Sequence, residues 1–438
     1  MFLAAIQCFA MLVSTNFSCS CNSFCFLYYS LTKEQFMNPV KFGIVGIGGF
    51  GQTHVRSVEA LERKGRARLN AAVVIDPENH PEKLAEFKTR NVRVYDTFDD
   101  LLSAGGMDYV TLPIGIHYHV PYSVAALEAG FNVICEKPLS ATVQDANHLI
   151  NIKNKTGKIA LIGYQSIYAP SIQTIKTRLL DGRLGKLHAI RIKGGWPRNN
   201  LYYSRNTWAG RLTLDDDTCV LDSPINNAMA HDLNNAMYLC GATHHESAIP
   251  ETVQAELYRA RDIQTLDTAV LRIVANGVDV LIGLSHSTRE NFGPLMQLQC
   301  EHGTVEWSRP GSIIRYNDGS TETFEEHNLR DHHGPFHNAI DVLQNNATPL
   351  CPPEVARAQT LCVNGAHESC PNIATVDHSE IEVVKRDGAT FHIIKGLDDL
   401  LDQSFRTGKL FSELGVSWAI SPQPYDMTNY DHYPYGGK

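Results

Sequence analysis

Three stretches of this sequence hold residues that could do chemistry. Lys137 stands in the run Asn132 to Ser140, NVICEKPLS, with Glu136 before it and Pro138 after it. The apolar residues ahead of it read as a strand, and the proline biases Lys137 toward an extended conformation at the strand's end. A lysine there can hydrogen-bond a ribose or a substrate hydroxyl and stabilise a developing alkoxide; a Glu–Lys pair on a surface loop is the plainer alternative. His231 lies in LDSPINNAMAHDLNNAMYLCG (Leu221 to Gly241), which predicts one helix with Ser223 as cap, Pro224 in the first turn and Gly241 at the end. On that helix Asn227 and His231 are four residues apart and share a face. The imidazole would take or give a hydroxyl proton, with Asn227 holding it in one orientation. A histidine satisfied within the core is the alternative. The third stretch is Gly195 to Arg211, GWPRNNLYYSRNTWAGR. Here Trp196, Tyr202, Tyr203 and Trp208 alternate with Arg198, Asn199, Arg205, Asn206 and Arg211. Flat aromatic faces with amide and guanidinium donors suit a polyhydroxylated ring or a sugar acid. A loop that packs its aromatics beneath itself would look the same.

The elements that must position these residues begin at KFGIVGIGGFGQTH, Lys41 to His54. A buried strand runs into Gly46, Gly48, Gly49, Phe50 and Gly51, and a helix starts. Gly46 permits the sharp turn, Gly48 lets a pyrophosphate approach the backbone, and Gly51 lets the helix pack on the strand. The helix N-terminus offers N–H groups to phosphate. Asp76 closes the next apolar run, LNAAVVID, where a carboxylate would accept hydrogen bonds from an adenosine ribose and repel a 2′-phosphate. The cofactor expected is therefore NAD rather than NADP. Apolar strands at 42–46, 70–75, 92–95, 108–112, 132–135 and 159–163 alternate with helical patterns such as Val120 to Ala129 and Thr142 to Lys155. That rhythm predicts parallel strands with right-handed crossovers in a doubly wound sheet, which binds ligands at the strands' carboxyl ends. His117 and His119 fall just past the fourth strand, and one of them would face a nicotinamide; a polar loop residue capping the following helix is the alternative.

After residue 164 the pattern changes. A helix is expected over Pro170 to Leu180, then extended runs at Leu187 to Lys193, Thr252 to Ala260, Thr268 to Ala275, Val278 to Ser285, Met296 to Cys300 and Thr304 to Trp307. AsnGly at 276–277 and AspGly at 318–319 mark hairpins. This reads as a large, mostly antiparallel sheet with helices on one face. Helices are also expected at 335–346 and 353–368, and the tail from Ser421 reads as an arm on a neighbour or as disordered. A net charge of −9 argues against nucleic acid or an anionic membrane as a partner. Seven scattered cysteines (Cys135, Cys219, Cys240, Cys300, Cys351, Cys362, Cys370) read as reduced core residues of a cytoplasmic protein, with no metal site. Residues 1–36, with four more cysteines and no basic residue before Lys33, read as an extension outside the fold, with Met37 as the effective start; an atypical export signal is the rival reading.

The combination of GIGGFG, EKP at the fifth strand, GYQ (Gly163 to Gln165) and a later helix carrying His resembles the glucose–fructose oxidoreductase/inositol dehydrogenase family, often called Gfo/Idh/MocA. The resemblance covers nearly the whole chain from Met37. It implies an α/β protein: an NAD(P)-binding Rossmann domain over 37–163, a substrate and oligomerisation α+β domain over 164–420, and a tail over 421–438. By the resemblance the family's lysine falls on Lys137 and its amide contact to cofactor on Gln165; Glu136 precedes the lysine. The strand-four histidine falls on His119 counting back from Glu136, and on His117 counting on from Pro113. The helix motif of the family is usually Asp, three residues, then His; Asn227 stands in the Asp position, with Asp222 or Asp232 as other sources of charge. An arginine that often follows the GYQ segment is replaced by Ile167. The activity implied is NAD-dependent hydride transfer on a sugar, polyol or sugar-derived substrate by a homo-oligomer, dimer or tetramer. An NAD-dependent glycoside hydrolase or lyase without net redox, and a non-catalytic NAD-binding sensor, are the rival functions.

Overall fold

Near-continuous apolar runs become the strands of a parallel sheet: β1 (Val40–Val45), β2 (Ala67–Val73), β3 (Arg93–Tyr95), β4 (Tyr109–Leu112), β5 (Asn132–Cys135) and β6 (Ala160–Ile162). The computed structural model describes residues 38–325 and 332–434, so the expectations for residues 1–37 lie outside the described residues. Strand order is β3-β2-β1-β4-β5-β6, every pair parallel. All four residues of β4 and of β5 are buried, as strands covered on both faces must be. The order reverses between β1 and β4, which opens a crevice at their carboxyl ends. Helices α1 (Gly51–Glu62), α2 (Ile116–Glu128) and α3 (Val143–Thr156) supply crossovers. Thr142 caps α3 by accepting from the Asp145 N–H. Helix α2 starts a turn before the expected Val120 and runs through Pro121, so the proline was a poor boundary signal.

The second sheet holds ten strands and follows the hairpin signals. It contains β7 (Leu187–Gly195), β8 (Pro250–Arg259), β9 (Thr268–Ala275), β10 (Val278–Ser285), β11 (Phe292–Cys300), β12 (Gly303–Ser308), β13 (Gly311–Tyr316), β14 (Thr321–Glu325), β15 (Ala374–Thr375) and β18 (Tyr425–Asp426). Strands β16 (Ile381–Arg386) and β17 (Ala389–Ile394) form a separate hairpin. Asn276–Gly277 joins β9 to β10, and Asp318–Gly319 joins β13 to β14. Pairing is antiparallel except for β7 with β10 and β8 with β15.

Helices cover both faces of this sheet, not one as expected. Helices α4 (Ala230–Cys240), α5 (Gly334–Asn345), α6 (Pro353–Ser369) and α7 (Leu397–Thr407) follow in sequence. Val280 and Ile282 share a core with Leu233 and Met237 of α4. Leu281 and Val270 join Leu397 and Leu401 of α7 on the other side. The run VDVLIGLS of β10 lacks polar alternation because it is buried on both faces. The tail packs on its own chain: β18 pairs β8, and the buried Tyr433 donates its N–H to Gln144. Topology changes after residue 163, but the packing does not divide there. Helix α5 returns to the first sheet, where Phe336, Ala339 and Ile340 join Phe42 and Tyr109, and the Tyr109 hydroxyl donates to Ala339 O at 2.9 Å. Asn364 of α6 accepts from Val143 N–H and donates to Ala141 O.

Candidate active site

At the glycine-rich turn, Gly46 leaves β1 at φ +86°, a conformation that excludes most side chains. A Cβ on Gly51 would lie 2.3 Å from Gly46 O, so the helix start can sit against the turn only with glycine there. Among the described residues the N–H groups of Ile47, Gly48, Gly49 and Phe50 donate to no one. Four successive free amides ahead of a helix N-terminus fit a pyrophosphate. A Cβ on Gly48 would stand 3.3 Å from His80 Nε2. That imidazole also lies 3.5 Å from Asp76 Oδ2, and Asn79 Nδ2 approaches the same oxygen at 3.4 Å. Asp76 itself is part-exposed beyond β2. Phe50 turns its ring edge-on toward His54 and His332, with centroids 5.9 and 5.3 Å away.

At the end of β5, Glu136 is part-buried and bonded to His54 Nε2 at 3.0 Å. Burial works to raise this carboxyl, but His54 and Lys137 outweigh it and hold it below the ordinary value. Lys137 points the other way. Its Nζ donates to Asn227 O and to Asn227 Oδ1, both at 2.8 Å, and the Lys137–Pro138 peptide bond is cis. Burial lowers the ammonium's pKa; Glu136 and Asp222 resist, and Arg205 and Arg309 push further down.

Asn227 therefore does not orient His231. Residues Pro224–Ala228 form a π-helical turn, and Met229, at φ −120° and ψ 24°, separates it from α4. The predicted single helix is broken between the two residues, so the four-residue spacing no longer aligns them. Ser223 still caps the turn through Asn226 N–H, and Gly241 ends α4. Asn227 bridges Lys137 to Asp222 instead, donating from Nδ2 to Asp222 Oδ1 at 2.8 Å. Asp222 Oδ2 accepts from Gly210 N–H at 2.7 Å, and burial raises this carboxyl. His231 is 3% exposed, with Tyr164 edge-on at 5.7 Å and no partner on Nδ1. Burial first, then Lys137, Arg309 and His332, hold its pKa well below the ordinary value, so it is a neutral imidazole. Asp232, next in sequence, has neither oxygen bonded and is pushed up to about 6 by burial.

Gln165 opens the short 3-10 turn Gln165–Tyr168 after β6, with Oε1 2.5 Å from His332 Nδ1. His119 has no ring nitrogen free to reach a ligand. It is 1% exposed and both ring nitrogens reach backbone carbonyls, Pro138 O at 2.6 Å and Ile114 O at 3.1 Å. It buttresses the segment that carries Lys137. His117 is only half-buried, and its ring lies with Trp208 Nε1 around the point where a Cβ on Gly115 would sit.

The aromatic–arginine stretch divides. Trp196, Arg198, Arg205 and Trp208 form a stacked group: Arg205 lies 3.8 Å from the Tyr202 ring and 5.1 Å from Trp208, and Arg198 lies 4.8 Å from Tyr202 and 5.6 Å from Trp196. Tyr203 and Arg211 leave it. The Tyr203 hydroxyl meets His286 Nδ1 at 3.0 Å in the interior, and Arg211 pairs with Asp215 at 2.5 Å. Sequence reading missed Arg309, in the turn between β12 and β13, which stacks on Trp196 at 4.8 Å. It also missed His54 and His332. No local signal marks Arg309, because SerArgProGly reads only as a turn. Among the described residues no cluster of His, Cys, Asp and Glu could hold a metal, and no helix is long and apolar enough to cross a membrane.

The model of the oxidoreductase family GFO_IDH_MocA, with its NAD-binding Rossmann fold, matches residues 40–164. The chain is 22% identical over 287 residues to inositol 2-dehydrogenase of Corynebacterium glutamicum (strain R), covering 64% of this chain and 77% of that protein. It is similar in fold to the WlbA dehydrogenase of Chromobactrium violaceum, solved with NADH and UDP-GlcNAcA, at TM-score 0.63 and 20% identity over 82% of this chain and 97% of that one. Levoglucosan dehydrogenase, solved with NADH and levoglucosan, matches at TM-score 0.63 and 14% identity over 76% of this chain and 97% of that one.

Proposed function

We propose that this chain, which belongs to the Gfo/Idh/MocA oxidoreductase family through its residues 40–164, moves a hydride between nicotinamide and a carbon of a sugar, polyol or sugar-derived substrate. When bound, the nicotinamide supplies the hydride acceptor or donor. The observation that carries the reading is the Lys137 ammonium. Two of its three protons go to Asn227 O and Oδ1, which leaves one for a substrate oxygen. That proton stabilises negative charge as the carbinol oxygen becomes an alkoxide, or polarises the carbonyl in reverse. Asp222, acting through Asn227, orients Nζ. The neutral, buried imidazole of His231 takes the hydroxyl proton in one direction and returns it in the other.

Four free amides at residues 47–50 would hold the pyrophosphate, and the part-exposed Asp76 would hold the ribose and favour NAD over NADP. Gln165 and Glu136 complete the cofactor side. The reading includes a cytoplasmic homo-oligomer, consistent with seven free cysteines among the described residues. It is tested by following NADH absorbance with a panel of sugars and polyols. Turnover by the wild type and its loss in Lys137→Ala, with NADH binding retained, is the expected result. Full turnover by Lys137→Ala would overturn the reading.

A further inference from the structure

We infer that the substrate of this site is a sugar acid, whose carboxylate is taken by Arg309 and Arg205 beside Lys137. The inference rests on the oxidoreductase reading and names the substrate class within it. Its basis is a ladder in which planar groups alternate: Trp208, Arg205, Tyr202, Arg198, Trp196 and Arg309. The spacings run from 3.8 to 5.6 Å. The ladder starts at the end of β4, where Trp208 meets Gly115, and finishes at the turn between β12 and β13. Arg205 and Arg309 both bear electrostatically on Lys137, so two rungs border the reacting end of the site.

Elsewhere in the structure arginines find carboxylates. Arg66 reaches Asp341, Arg178 reaches Glu322, Arg261 reaches Asp267 and Arg272 reaches Glu413. Among the described residues none of the three ladder arginines has such a partner. The Nε atoms of Arg198 and Arg309 are buried with no hydrogen bond at all. Stacking fixes each guanidinium plane; Arg205 gives one N–H to Tyr202 O at 2.5 Å, while among the described residues no side-chain hydrogen bond meets Arg198 or Arg309.

The nearby carboxylates do not fill this role. Asp222 is committed through both oxygens to Asn227 and Gly210. Asp232 is enclosed and feels the charge of Arg309, but neither of its oxygens is hydrogen-bonded. Glu136 is held by His54. Arg198 and Arg309 are part-buried and Arg205 is exposed, so what lacks a partner is the enclosed Nε edge of Arg198 and Arg309, and a planar carboxylate is the group that matches such paired donors. Hydroxyls of a neutral polyol could bond the same edge but would bring no charge to it, and Asp232 and Asp222 act on Arg309 and Arg205 without an ion pair. The faces of Trp196 and Trp208 suit the carbon-bearing side of the same molecule.

The test uses the full chain loaded with NADH, titrated with matched pairs: D-gluconate against D-glucitol, and D-glucuronate against D-glucose. At least one acid is expected to bind about tenfold or more tighter than its neutral partner, as a bidentate charged pair would give. Arg309→Gln should shrink that preference to about threefold or less, with NADH affinity and melting temperature unchanged, and Arg309→Lys should recover part of it. Arg205→Gln offers the same readout should Arg309→Gln fold poorly. Equal or tighter binding of the neutral partners, no binding of either acid to the NADH complex, or a preference that survives both glutamine variants would overturn the inference. Failure to bind NADH at all would strike the oxidoreductase reading itself, and the inference with it.

Discussion

Replacing Asn227 with alanine removes one of the two acceptors on Lys137 Nζ and the Nδ2 donor to Asp222, while Asn227 O stays in place. A hydrogen bond to a charged group is worth about 1.5–3 kcal/mol. At ~1.4 kcal/mol per tenfold, the freed ammonium should lower kcat/KM by roughly 10- to 150-fold if its orientation matters in the transition state. The loss should fall mainly on kcat, since the free amides at residues 47–50 proposed for the cofactor lie elsewhere. Asn227→Asp tests the same bridge with the opposite electrostatics. A carboxylate beside Nζ favours the charged ammonium, so the alkaline limb of the kcat/KM profile should move to higher pH. Both variants are assayed by NADH absorbance on the best substrate of the panel, with NADH binding measured in parallel. An Asn227→Ala enzyme with wild-type kcat and an unmoved pH profile would refute the coupling of Asp222, Asn227 and Lys137.

Asp76→Ala should weaken NAD and relax discrimination against NADP by about tenfold or more, measured as the ratio of kcat/KM values; an unchanged ratio would remove Asp76 from the site. Gly51→Ala places a Cβ 2.3 Å from Gly46 O and should cost about 1–3 kcal/mol by overpacking, read as a lower urea midpoint together with weakened NADH binding. His367 is buried with no partner on Nε2, and burial lowers its pKa to about 4. The unfolded chain takes up this proton near pH 6.5 and the folded chain only near 4, so stability should fall as pH drops through that window. His367→Gln should lose less stability than the wild type between pH 7 and pH 4.5 in urea titrations, and equal losses would count against the assignment.

The sequence was most informative where backbone and burial decide. Strands buried on both faces are largely apolar, so β1, β4 and β5 stood out, and the AsnGly and AspGly turns placed two hairpins. The glycine turn was legible because each glycine answers a backbone requirement, as Gly46 does with φ +86°. The site beyond it was harder. Lys137 could be placed by its strand end, but its partners could not. The stretch Leu221 to Gly241 has the periodicity of one helix, and nothing local foretells that Met229 interrupts it. His119 and Tyr203 have the right chemistry and the wrong direction, because their rings are drawn inward by Pro138 O and His286. Arg309 reaches the site only through the register of β12 and β13, a long-range fact.

Helix α5 lends the first sheet part of its floor. Phe336 is 2% exposed against Phe42 and Tyr109, both fully enclosed, although some 170 residues of another sheet intervene in the sequence. A protein engineer who cut the chain after Gly163 to obtain a portable nucleotide-binding module would leave that aromatic patch bare and invite aggregation. A chimera that exchanges the cofactor half between relatives must carry the helix 334–345 with it, as a discontinuous graft. Heat should melt the two sheets as one calorimetric transition, and cofactor binding to the first should raise the melting temperature of the second.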